Sequence, residues 1–305
     1  MKIYVAGHKG LVGSAIVRAI ESEGKHSWAG RTRSELDLLD RKAVFEFFLK
    51  EKPDAVVIAA AKVGGIHANN SYPVEFLSEN LQIEVNLMDA AHAAGIERLL
   101  FLGSSCVYPK MAQQPIKEEY LLTGELEKSN EAYALAKISG LKLVHSYRHQ
   151  YDHAWISAMP TNIYGPGDNF DLENSHVLAA LIRKFHDAKE AGDDSVMLWG
   201  SGNPRREFLH SDDLGKACLF LLDNYDADVA INVGVGEDIS IRELAELIQK
   251  IVGFQGSIEW DSSKPDGTPR KLLDISKIKA LGWEPKISLE DGIQSTYRWF
   301  QSNLV

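Results

Sequence analysis

A series of short, uninterrupted apolar runs, separated by helix-like stretches, constrains the fold of this chain most strongly. Residues 2–6, 54–60 and 98–103 are such runs. Continuous rather than alternating apolar residues are typical of strands that are covered on both faces. Helical spacing of apolar residues separates these runs, over residues 14–23, 42–50 and 74–94. The alternation predicts an α/β fold with a Rossmann-type, doubly wound parallel sheet between layers of helices.

A glycine-rich segment follows the first predicted strand directly and opens the first predicted helix. Residues 7–13 have the sequence GHKGLVG, in which every third residue is glycine. Glycines let a backbone turn sharply and approach a pyrophosphate, whose charge then meets the N–H groups of the helix start. A simple strand-to-helix turn is the alternative, because the motif alone is weak. The preceding strand and following helix favour dinucleotide binding.

The second predicted strand, around residues 26–29, should end beside the adenosine ribose of such a ligand. NAD-binding sites usually place an acidic residue there, but this chain has Arg31-Thr32-Arg33. A guanidinium matches a 2′-phosphate, so the sequence favours NADP over NAD. The alternative is that both arginines are merely solvated.

The pattern of elements changes after about residue 164. Residues 165–169 predict a loop, residues 175–190 a helix and residues 241–252 an amphipathic helix. We therefore expect an NADP-binding Rossmann domain over residues 1–165. Residues 166–305 should form mainly a smaller α/β substrate-binding domain, with some segments returning to the Rossmann domain.

Charge and cysteine content exclude several classes of protein. The chain has 33 Lys and Arg against 43 Asp and Glu, a formal net charge of −10, which disfavours non-specific nucleic-acid binding. No apolar run approaches the roughly 18 residues that span a bilayer. Two cysteines are too few for a disulfide framework, no Cys/His cluster has metal-ligand spacing, and the early first strand leaves no room for a signal peptide. We expect a cytoplasmic protein without metal, membrane or nucleic-acid partners.

A tyrosine and a lysine spaced by four residues are the first candidates for catalysis. Tyr133 and Lys137 should share one face of a helix. A nearby ammonium is expected to lower the pKa of Tyr133 and make it a general acid or base near neutral pH. Ser104 follows the third strand, at the edge where ligands bind. The three could surround a substrate carbonyl, although a packing tyrosine with a surface lysine remains the alternative.

Longer segments make the chain similar to a known family. They are GHKGLVG at 7–13, AAAKVGGI at 59–66, GSSCVYP at 103–109, PTNIYGP at 160–166, NSHV at 174–177, REFLH at 206–210 and KPDGTPRK at 264–271. The glycine loop and the tyrosine–lysine spacing mark only the superfamily, whereas the segments at 103–109 and 174–177 are more specific. The chain resembles the GDP-L-fucose synthase family of extended short-chain dehydrogenases/reductases from end to end.

The resemblance implies an NADPH-dependent oxidoreductase and isomerase of nucleotide-sugar biosynthesis, active as a homodimer. Members of that family convert GDP-4-keto-6-deoxy-D-mannose to GDP-L-fucose, epimerising C3 and C5 and then reducing the C4 ketone. Ser104, Tyr133 and Lys137 would reduce the carbonyl. Cys106 and His176 would remove and return protons during epimerisation.

The same resemblance implies two sets of binding residues. NADP would contact Gly7, His8, Lys9, Gly10, Leu11, Val12, Gly13, Arg31, Leu102, Gly103, Ser104, Ser105, Tyr133, Lys137, Pro160, Thr161, Asn162, Ile163 and His176. The GDP-sugar would contact Ser104, Cys106, Lys184, Trp199, Arg206 and Lys271. Basic side chains suit a pyrophosphate, and a Trp ring suits a base or sugar. Lys9, where members often have Arg, and the loop at 167–171 depart from the family.

The chemistry of Cys106 and His176 fits the roles in epimerisation that the resemblance implies. If the segment from Ser104 to Cys106 is extended, both side chains point into the same cleft. A 4-keto group acidifies the hydrogens on C3 and C5, and a thiol and an imidazole titrate within reach of neutral pH. The alternatives are a core cysteine at Cys106 and a helix-cap or packing histidine at His176.

Two other functions compete with this one. A different nucleotide-sugar enzyme, either a 4-epimerase or a 4-ketoreductase without epimerisation, would not need the pair Cys106 and His176. A catalytically silent NADP-sensing or scaffold protein would have no chemical reason to keep Ser104, Tyr133 and Lys137. Cys218, in an apolar helical run, is interpreted as structural.

Overall fold

The apolar runs predicted as strands lie in one sheet. The computed structural model describes residues 1–172, 174–264 and 266–304, so Pro265 of the motif at 264–271 lies outside the described residues. The strands are β1 (Lys2–Ala6), β2 (Ser27–Ala29), β3 (Ala55–Ile58), β4 (Arg98–Leu102), β5 (Ala154–Pro160), β6 (Asn162–Tyr164), β7 (Ser195–Trp199), β8 (Arg205–Arg206), β9 (Phe208–His210), β10 (Ile231–Val233), β11 (Ile239–Ser240), β12 (Ser257–Asp261) and β13 (Arg270–Lys271). The helices are α1 (Leu11–Glu23), α2 (Arg41–Glu51), α3 (Ile66–Ser71), α4 (Pro73–Ala93), α5 (Glu131–Tyr151), α6 (Val177–Ala191), α7 (Ser211–Asn224), α8 (Ile241–Val252), α9 (Ser276–Ala280) and α10 (Leu289–Leu304). Short 3-10 turns lie at Ser105–Val107, Glu118–Tyr120 and Lys128–Asn130.

The central sheet is doubly wound. Within the described residues it has six strands in the order β10-β5-β4-β3-β1-β2, and all of its pairings are parallel. From β1 the chain passes to β2 on one side and then returns to β3 on the other side. Where strand order reverses in this way, the carboxyl ends of the strands open into a crevice that binds ligands. The predicted Rossmann-type sheet is confirmed.

Helices cover this sheet, which explains the continuous apolar runs. α1 packs on α7, and α4 packs on both α2 and α5. Val5, Ile58 and Leu100 of three neighbouring strands are completely buried, as residues between two helix layers must be. Among residues 1–172, 174–264 and 266–304, no helix is long and apolar enough to cross a membrane.

A second hydrophobic core lies between α6, α8 and α10. Ile182, Phe185, Ile248 and Phe300 are completely buried in it. In the same part of the chain β7 pairs with β12, and β8 lies between β11 and β13. α7 and β10, although late in the chain, pack into the first core, for example through Leu214. The sheet with its helices and this second group of elements are therefore tied together by the returning segments.

The start of one predicted helix needs correction because it changes the position of a candidate site residue. The helix predicted over 175–190 begins at Val177. The N–H of Ser175 donates to the carbonyl of Asp171 (2.9 Å) in the preceding loop, and His176 has an extended backbone. His176 is therefore the N-cap of α6 rather than a helical residue. The helix predicted over 241–252 is confirmed at both ends, with Ser240 as its N-cap.

Candidate active site

The glycine loop at residues 7–13 joins β1 to α1 at the crevice. Gly7 has a φ of +82°, and a Cβ there would lie 2.8 Å from the backbone nitrogen of Ala60, so glycine is required. α1 begins after Gly10, and no side chain among the described residues caps its first N–H groups. Such N–H groups are donors for a phosphate. The loop therefore fits the pyrophosphate of a dinucleotide.

Arg31 lies two residues beyond β2, at the edge of the same crevice. Its guanidinium lies 5.2 Å from the centroid of the Phe47 ring, and Nη2 lies 3.6 Å from Oε2 of Glu51. Arg33, in contrast, is 74% exposed along its side chain and pairs with Asp37 on the surface. Neighbouring side chains thus hold the guanidinium of Arg31, whereas Arg33 extends into solvent.

Ser104 and Cys106 lie in a tight turn. Residues Ser105–Val107 form a 3-10 turn directly after β4, and Oγ of Ser104 accepts a hydrogen bond from the N–H of Cys106 (3.2 Å). A serine side chain that bonds to the nearby backbone competes with extended structure. The condition of an extended segment from Ser104 to Cys106 is therefore not met, and contacts rather than strand alternation place the thiol.

Tyr133 lies in the first turn of α5 beside this segment. Its ring meets the ring of Phe76 edge-on, with centroids 6.4 Å apart, and the side chain of Ser104 lies near enough to its hydroxyl to lower its pKa. Burial of the hydroxyl, together with the neighbouring Cys106 and Glu84, raises the pKa of Tyr133 well above its usual value. The side chain is therefore a neutral phenol, and a proton donor, at neutral pH.

The ammonium of Lys137 lies next to a glutamate. Nζ of Lys137 is 3.3 Å from Oε1 of Glu84, and these side chains are only 3% and 2% exposed. The same Nζ lies 4.7 Å from the ring centroid of Phe101 and 5.9 Å from that of Tyr133. The expectation of a lowered pKa for Tyr133 is not met, because burial, and then the neighbouring Cys106 and Glu84, raise that pKa instead.

Lys271 lies close to both candidate epimerisation residues. Its Nζ donates a hydrogen bond to Sγ of Cys106 (3.5 Å). Although part of its surface is exposed, His176 is surrounded closely enough that desolvation, and then the charge of Lys271, lower its pKa. The turn after β4 and β13 thus bring Cys106 and Lys271 into contact, and the N-cap of α6 places His176 where the charge of Lys271 acts on it. We call Cys106, Lys271 and His176 the thiol group.

A second positive charge lies beside Lys271. Arg206 in β8 pairs with Lys271 in β13 in parallel register. Burial lowers the pKa of Arg206, and the nearby Cys106 partly offsets that effect. The two basic side chains therefore stand together next to the thiol, where they can attract an anionic substrate.

Glu207, which sequence reasoning missed, fixes the backbone of this region. It is completely buried. Its Oε1 accepts hydrogen bonds from the N–H groups of Val235 (2.6 Å) and Gly236 (2.7 Å), and its Oε2 accepts one from Leu273 (3.0 Å). Its backbone oxygen accepts from Nδ2 of the predicted cofactor residue Asn162 (2.7 Å). The only sequence signal for this role is a glutamate within the otherwise apolar run that follows Arg206.

Trp199, Lys184 and Lys264 form a further group, the Trp199 cluster. Trp199 is 62% exposed, and the Nζ atoms of Lys184 and Lys264 lie 5.6 Å and 5.5 Å from its ring centroid. Nζ of Lys184 also donates to the carbonyl of Met197 (3.3 Å), and burial lowers its pKa. Sequence reasoning missed Lys264. Among the described residues, no hydrogen bond or ion pair joins this cluster to the thiol group.

The remaining predicted cofactor residues follow the carboxyl ends of the central strands. Leu102 ends β4, and Gly103 and Ser105 come directly after it. Pro160 ends β5, and Ile163 lies in the short β6 that follows. Their positions along one edge of the sheet are those expected for residues that line the crevice.

Comparison with known proteins shows the family of the chain. The family model described as the NAD dependent epimerase/dehydratase family matches residues 3–234, more than half of the chain. The chain belongs to this family. The interpretation of Cys218 as structural agrees with its position, because it is completely buried in α7 and burial raises its pKa to about 12. Cys218 is therefore an inert core residue.

The relatives confirm the resemblance to GDP-L-fucose synthases. The chain is 56% identical to GDP-L-fucose synthase 1 of Arabidopsis thaliana, over 99% of this chain and 94% of that protein. It is 52% identical to GDP-L-fucose synthase of Escherichia coli (strain K12), over 99% and 97%. The crystal structure of a GDP-L-fucose synthetase from Naegleria fowleri bound to NADP has 31% identity and a TM-score of 0.92, over 99% and 94%. That of a GDP-6-OMe-4-keto-L-xylo-heptose reductase from C. jejuni has 37% identity and a TM-score of 0.94, over 99% and 97%.

Proposed function

We propose that the protein is an NADPH-dependent GDP-L-fucose synthase. It would epimerise GDP-4-keto-6-deoxy-D-mannose at C3 and C5 and then reduce the C4 ketone to give GDP-L-fucose. One observation carries the proposal: Ser104 and Tyr133, whose side chains are neighbours, lie beside the thiol group of Cys106, Lys271 and His176. A reductase needs only the first set, and an enzyme that also epimerises needs both.

NADPH is the cofactor of this proposal. The pyrophosphate would bind the N–H groups at the start of α1, after the loop at residues 7–13, and Arg31 would pair with the 2′-phosphate. When bound, NADPH supplies the reducing equivalent for the C4 ketone. The family of the chain and the NADP-bound relative from Naegleria fowleri support this assignment.

Arg31→Ala should weaken NADPH binding by roughly ten- to a hundredfold and leave NADH binding nearly unchanged. The reason is the loss of a charge-assisted contact to the 2′-phosphate, which NADH lacks. Dissociation constants can be measured for both cofactors by fluorescence titration. Arg33→Ala is the matched control, because Arg33 is exposed and pairs only on the surface with Asp37. Equal weakening of NADPH and NADH by Arg31→Ala would contradict the assignment.

Epimerisation requires a base on one face of the sugar and an acid on the other face. The C4 ketone acidifies the hydrogens at C3 and C5, because the electrons left behind can move onto the ketone oxygen. One member of the pair Cys106 and His176 removes the proton, and the other returns a proton from the opposite face. The lowered pKa of His176 keeps the imidazole neutral at neutral pH. The ammonium of Lys271 stabilises negative charge beside the thiol.

Reduction uses Tyr133 as the proton donor. As the C4 carbon is reduced, the ketone oxygen becomes basic and takes the proton of the Tyr133 hydroxyl, while the Ser104 hydroxyl polarises the same oxygen. The raised pKa of Tyr133 keeps the hydroxyl protonated through the neutral range. The rate of reduction should therefore show no fall from loss of this proton across the neutral pH range.

The positive side chains around the site suit the GDP portion of the substrate. Arg206 and Lys271 stand side by side, which favours the diphosphate. In the Trp199 cluster, the ammonium groups of Lys184 and Lys264 both lie near an exposed ring, which suits a stacked and negatively charged nucleotide. Although the net charge of the chain is negative, these groups concentrate positive charge locally.

A C4 reductase that does not epimerise is the second candidate. The TM-score of 0.94 to a GDP-linked 4-keto-heptose reductase favours it. Such an enzyme would consume NADPH with a GDP-4-keto sugar, but it would not exchange hydrogens at C3 and C5 with solvent. The presence of the thiol group next to Tyr133 favours the synthase.

Two measurements with GDP-4-keto-6-deoxy-D-mannose separate these candidates. The fall in NADPH absorbance reports reduction, and deuterium uptake from D₂O in the absence of NADPH reports epimerisation. The synthase should show both reactions. NADPH oxidation without any deuterium uptake would assign the chain to the C4 reductases instead.

The proposal extends to the organisation of the protein. Residues 1–165 would bind mainly NADPH, and residues 166–305 mainly the GDP-sugar, with α7 and β10 returning to the first core. The long helices α4 and α5 are suited to form the interface of a homodimer. We place the enzyme in the cytoplasm, where its nucleotide-sugar substrate and NADPH would be available.

A further inference from the structure

Four basic side chains lie in two cross-strand pairs on the small sheet formed by β8, β11 and β13. β8 and β13 have two residues each and pair in parallel, with Arg205 opposite Arg270 and Arg206 opposite Lys271. Because successive side chains of a strand point to opposite faces, the first pair lies on one face of this sheet and the second pair on the other. Like charges directly opposite each other destabilise a sheet, so strands this short need a further contact to stay together.

A single carboxylate supplies that contact on one face. Asp238 comes directly before β11, and its side chain is only 5% exposed. Its Oδ1 accepts a hydrogen bond from Nε of Arg205 (2.8 Å), and its Oδ2 accepts one from Nε of Arg270. The backbone carbonyl of Asp238 also accepts from Nη2 of Arg205 (2.9 Å). Asp238 therefore joins β8 to β13 and neutralises the two arginines of this face. We call Asp238, Arg205 and Arg270 the Asp238 clamp.

The other face of the sheet keeps its positive charge. Nζ of Lys271 donates to Sγ of Cys106 (3.5 Å), and Nη1 of Arg206 donates to the backbone carbonyl of its neighbour Arg205 (2.9 Å). In the part of the chain that the structure describes, the ion pairs of this sheet are made by the clamp arginines, and none involves Arg206 or Lys271. The two cations beside the thiol thus remain available to an anionic ligand.

We propose that Asp238 is a positioning residue for the diphosphate of the GDP-sugar: by clamping Arg205 and Arg270 it holds the next residues of both strands, Arg206 and Lys271, side by side and unpaired. This inference rests on the proposed function. The clamp residue and the binding residue are consecutive in each strand, so a shift of one moves the other. Asp238 lies on the opposite face from the ligand and acts only through the two strands.

Asp238→Asn gives a test in which the sign of the effect is decisive. The variant removes a negative charge near the diphosphate site, and Coulomb attraction alone would then tighten the binding of an anion. A positioning role predicts the reverse, because Arg206 and Lys271 would no longer be held in place. We expect the Kd for GDP, measured by isothermal titration calorimetry, to rise roughly tenfold, the effect of losing one charge-assisted contact. The Kd for NADPH should not change. Unchanged or tighter GDP binding would overturn the inference.

A double-mutant cycle with Arg206→Ala separates positioning from a general loss of stability. Arg206→Ala alone should weaken GDP binding. In that background Asp238→Asn should weaken it clearly less than tenfold, since one of the two side chains that the clamp positions is already gone. A general loss of stability would lower the melting temperature and produce no such coupling. Fully multiplicative effects on the Kd for GDP would therefore contradict the inference.

Asp223→Asn is the matched control. Asp223 near the end of α7 also pairs with two basic side chains, Lys25 and His26, but these precede β2 and lie at the opposite edge of the central sheet from the crevice. This variant should bind GDP and NADPH as the wild type does. A wild-type protein that does not bind GDP at all would overturn the proposed function, whereas normal GDP binding by Asp238→Asn would overturn the inference alone.

Arg270→Lys keeps the inference testable if Asp238→Asn does not fold. The side chain of Arg270 is 46% exposed, and lysine preserves the net charge. An ammonium does not reproduce the Nε donor of a guanidinium, so the bridge from Asp238 to β13 is weakened without a change in charge. We expect a Kd for GDP several-fold above that of the wild type. A wild-type Kd for GDP in Arg270→Lys would contradict the proposed clamp.

Discussion

Tyr133→Phe should slow NADPH oxidation with GDP-4-keto-6-deoxy-D-mannose by about 10²- to 10⁴-fold, the usual effect of losing a positioned general acid. The substitution removes only the hydroxyl next to Ser104, and the ring can keep its edge-on contact with Phe76. Binding of NADPH should be retained. Deuterium uptake at C3 and C5 should also persist, because the thiol group remains intact.

The appropriate control for this variant lies on the same helix. Tyr151 is at the last position of α5 and is 47% exposed, so Tyr151→Phe removes a phenol hydroxyl without affecting the site. Its reduction rate should equal that of the wild type. A Tyr133→Phe enzyme with nearly normal NADPH oxidation would remove Tyr133 from the role of proton donor.

Cys106→Ser should abolish the other half of the reaction. A serine hydroxyl is too weak an acid to exchange protons near neutral pH, and it leaves Lys271 without the sulfur that it contacts at 3.5 Å. We expect deuterium uptake at C3 and C5 to fall by at least about a hundredfold, the lower end of the range for a lost general acid or base. The measurement is NMR of the keto sugar after incubation in D₂O without NADPH.

Cys218→Ala provides the comparison for Cys106→Ser. Cys218 is completely buried in α7 and belongs to the core between helices and sheet. Its substitution should lower stability slightly and leave deuterium uptake unchanged. If Cys106→Ser instead exchanged as fast as the wild type, Cys106 would have no part in epimerisation, and the C4 reductase candidate would gain support.

The sheet and the cofactor loop were predictable because their signals are local. Strands β1, β3 and β4 coincide with the predicted apolar runs, and GHKGLVG lies directly between the first run and a helix. The amphipathic helix α8 was predicted at both ends because its apolar spacing and its N-cap Ser240 agree. In these segments the sequence neighbours of a residue determine most of its conformation.

The errors arose where contacts between distant segments decide the outcome. The cap formed by Ser104 turns the chain before Cys106, which an alternation rule for strands cannot anticipate. The spacing pairs the ammonium of Lys137 with Tyr133 on the same helix. In the structure the ammonium is paired with Glu84, which lies on another helix. The spacing of Tyr133 and Lys137 predicts that they share one face of a helix. It does not predict that Glu84 balances the charge of Lys137.

Residues on the substrate side were harder still to predict. Glu207 holds backbone groups from the segments after β10 and β13, and its glutamate identity alone gives no hint of those partners. Lys264 adds a second ammonium over Trp199, although it lies in a polar loop that would otherwise be interpreted as solvated. Only the resemblance to a family placed Arg206 and Lys271 in the site, because basic residues are common throughout the chain.

The central claim is that one active site both epimerises and reduces. The most direct measurement is NMR identification of the product after incubation of the protein with GDP-4-keto-6-deoxy-D-mannose and NADPH in D₂O. The account predicts GDP-L-fucose with deuterium at C3 and C5. A reduced GDP-sugar with the original configuration and hydrogen at both carbons would contradict it.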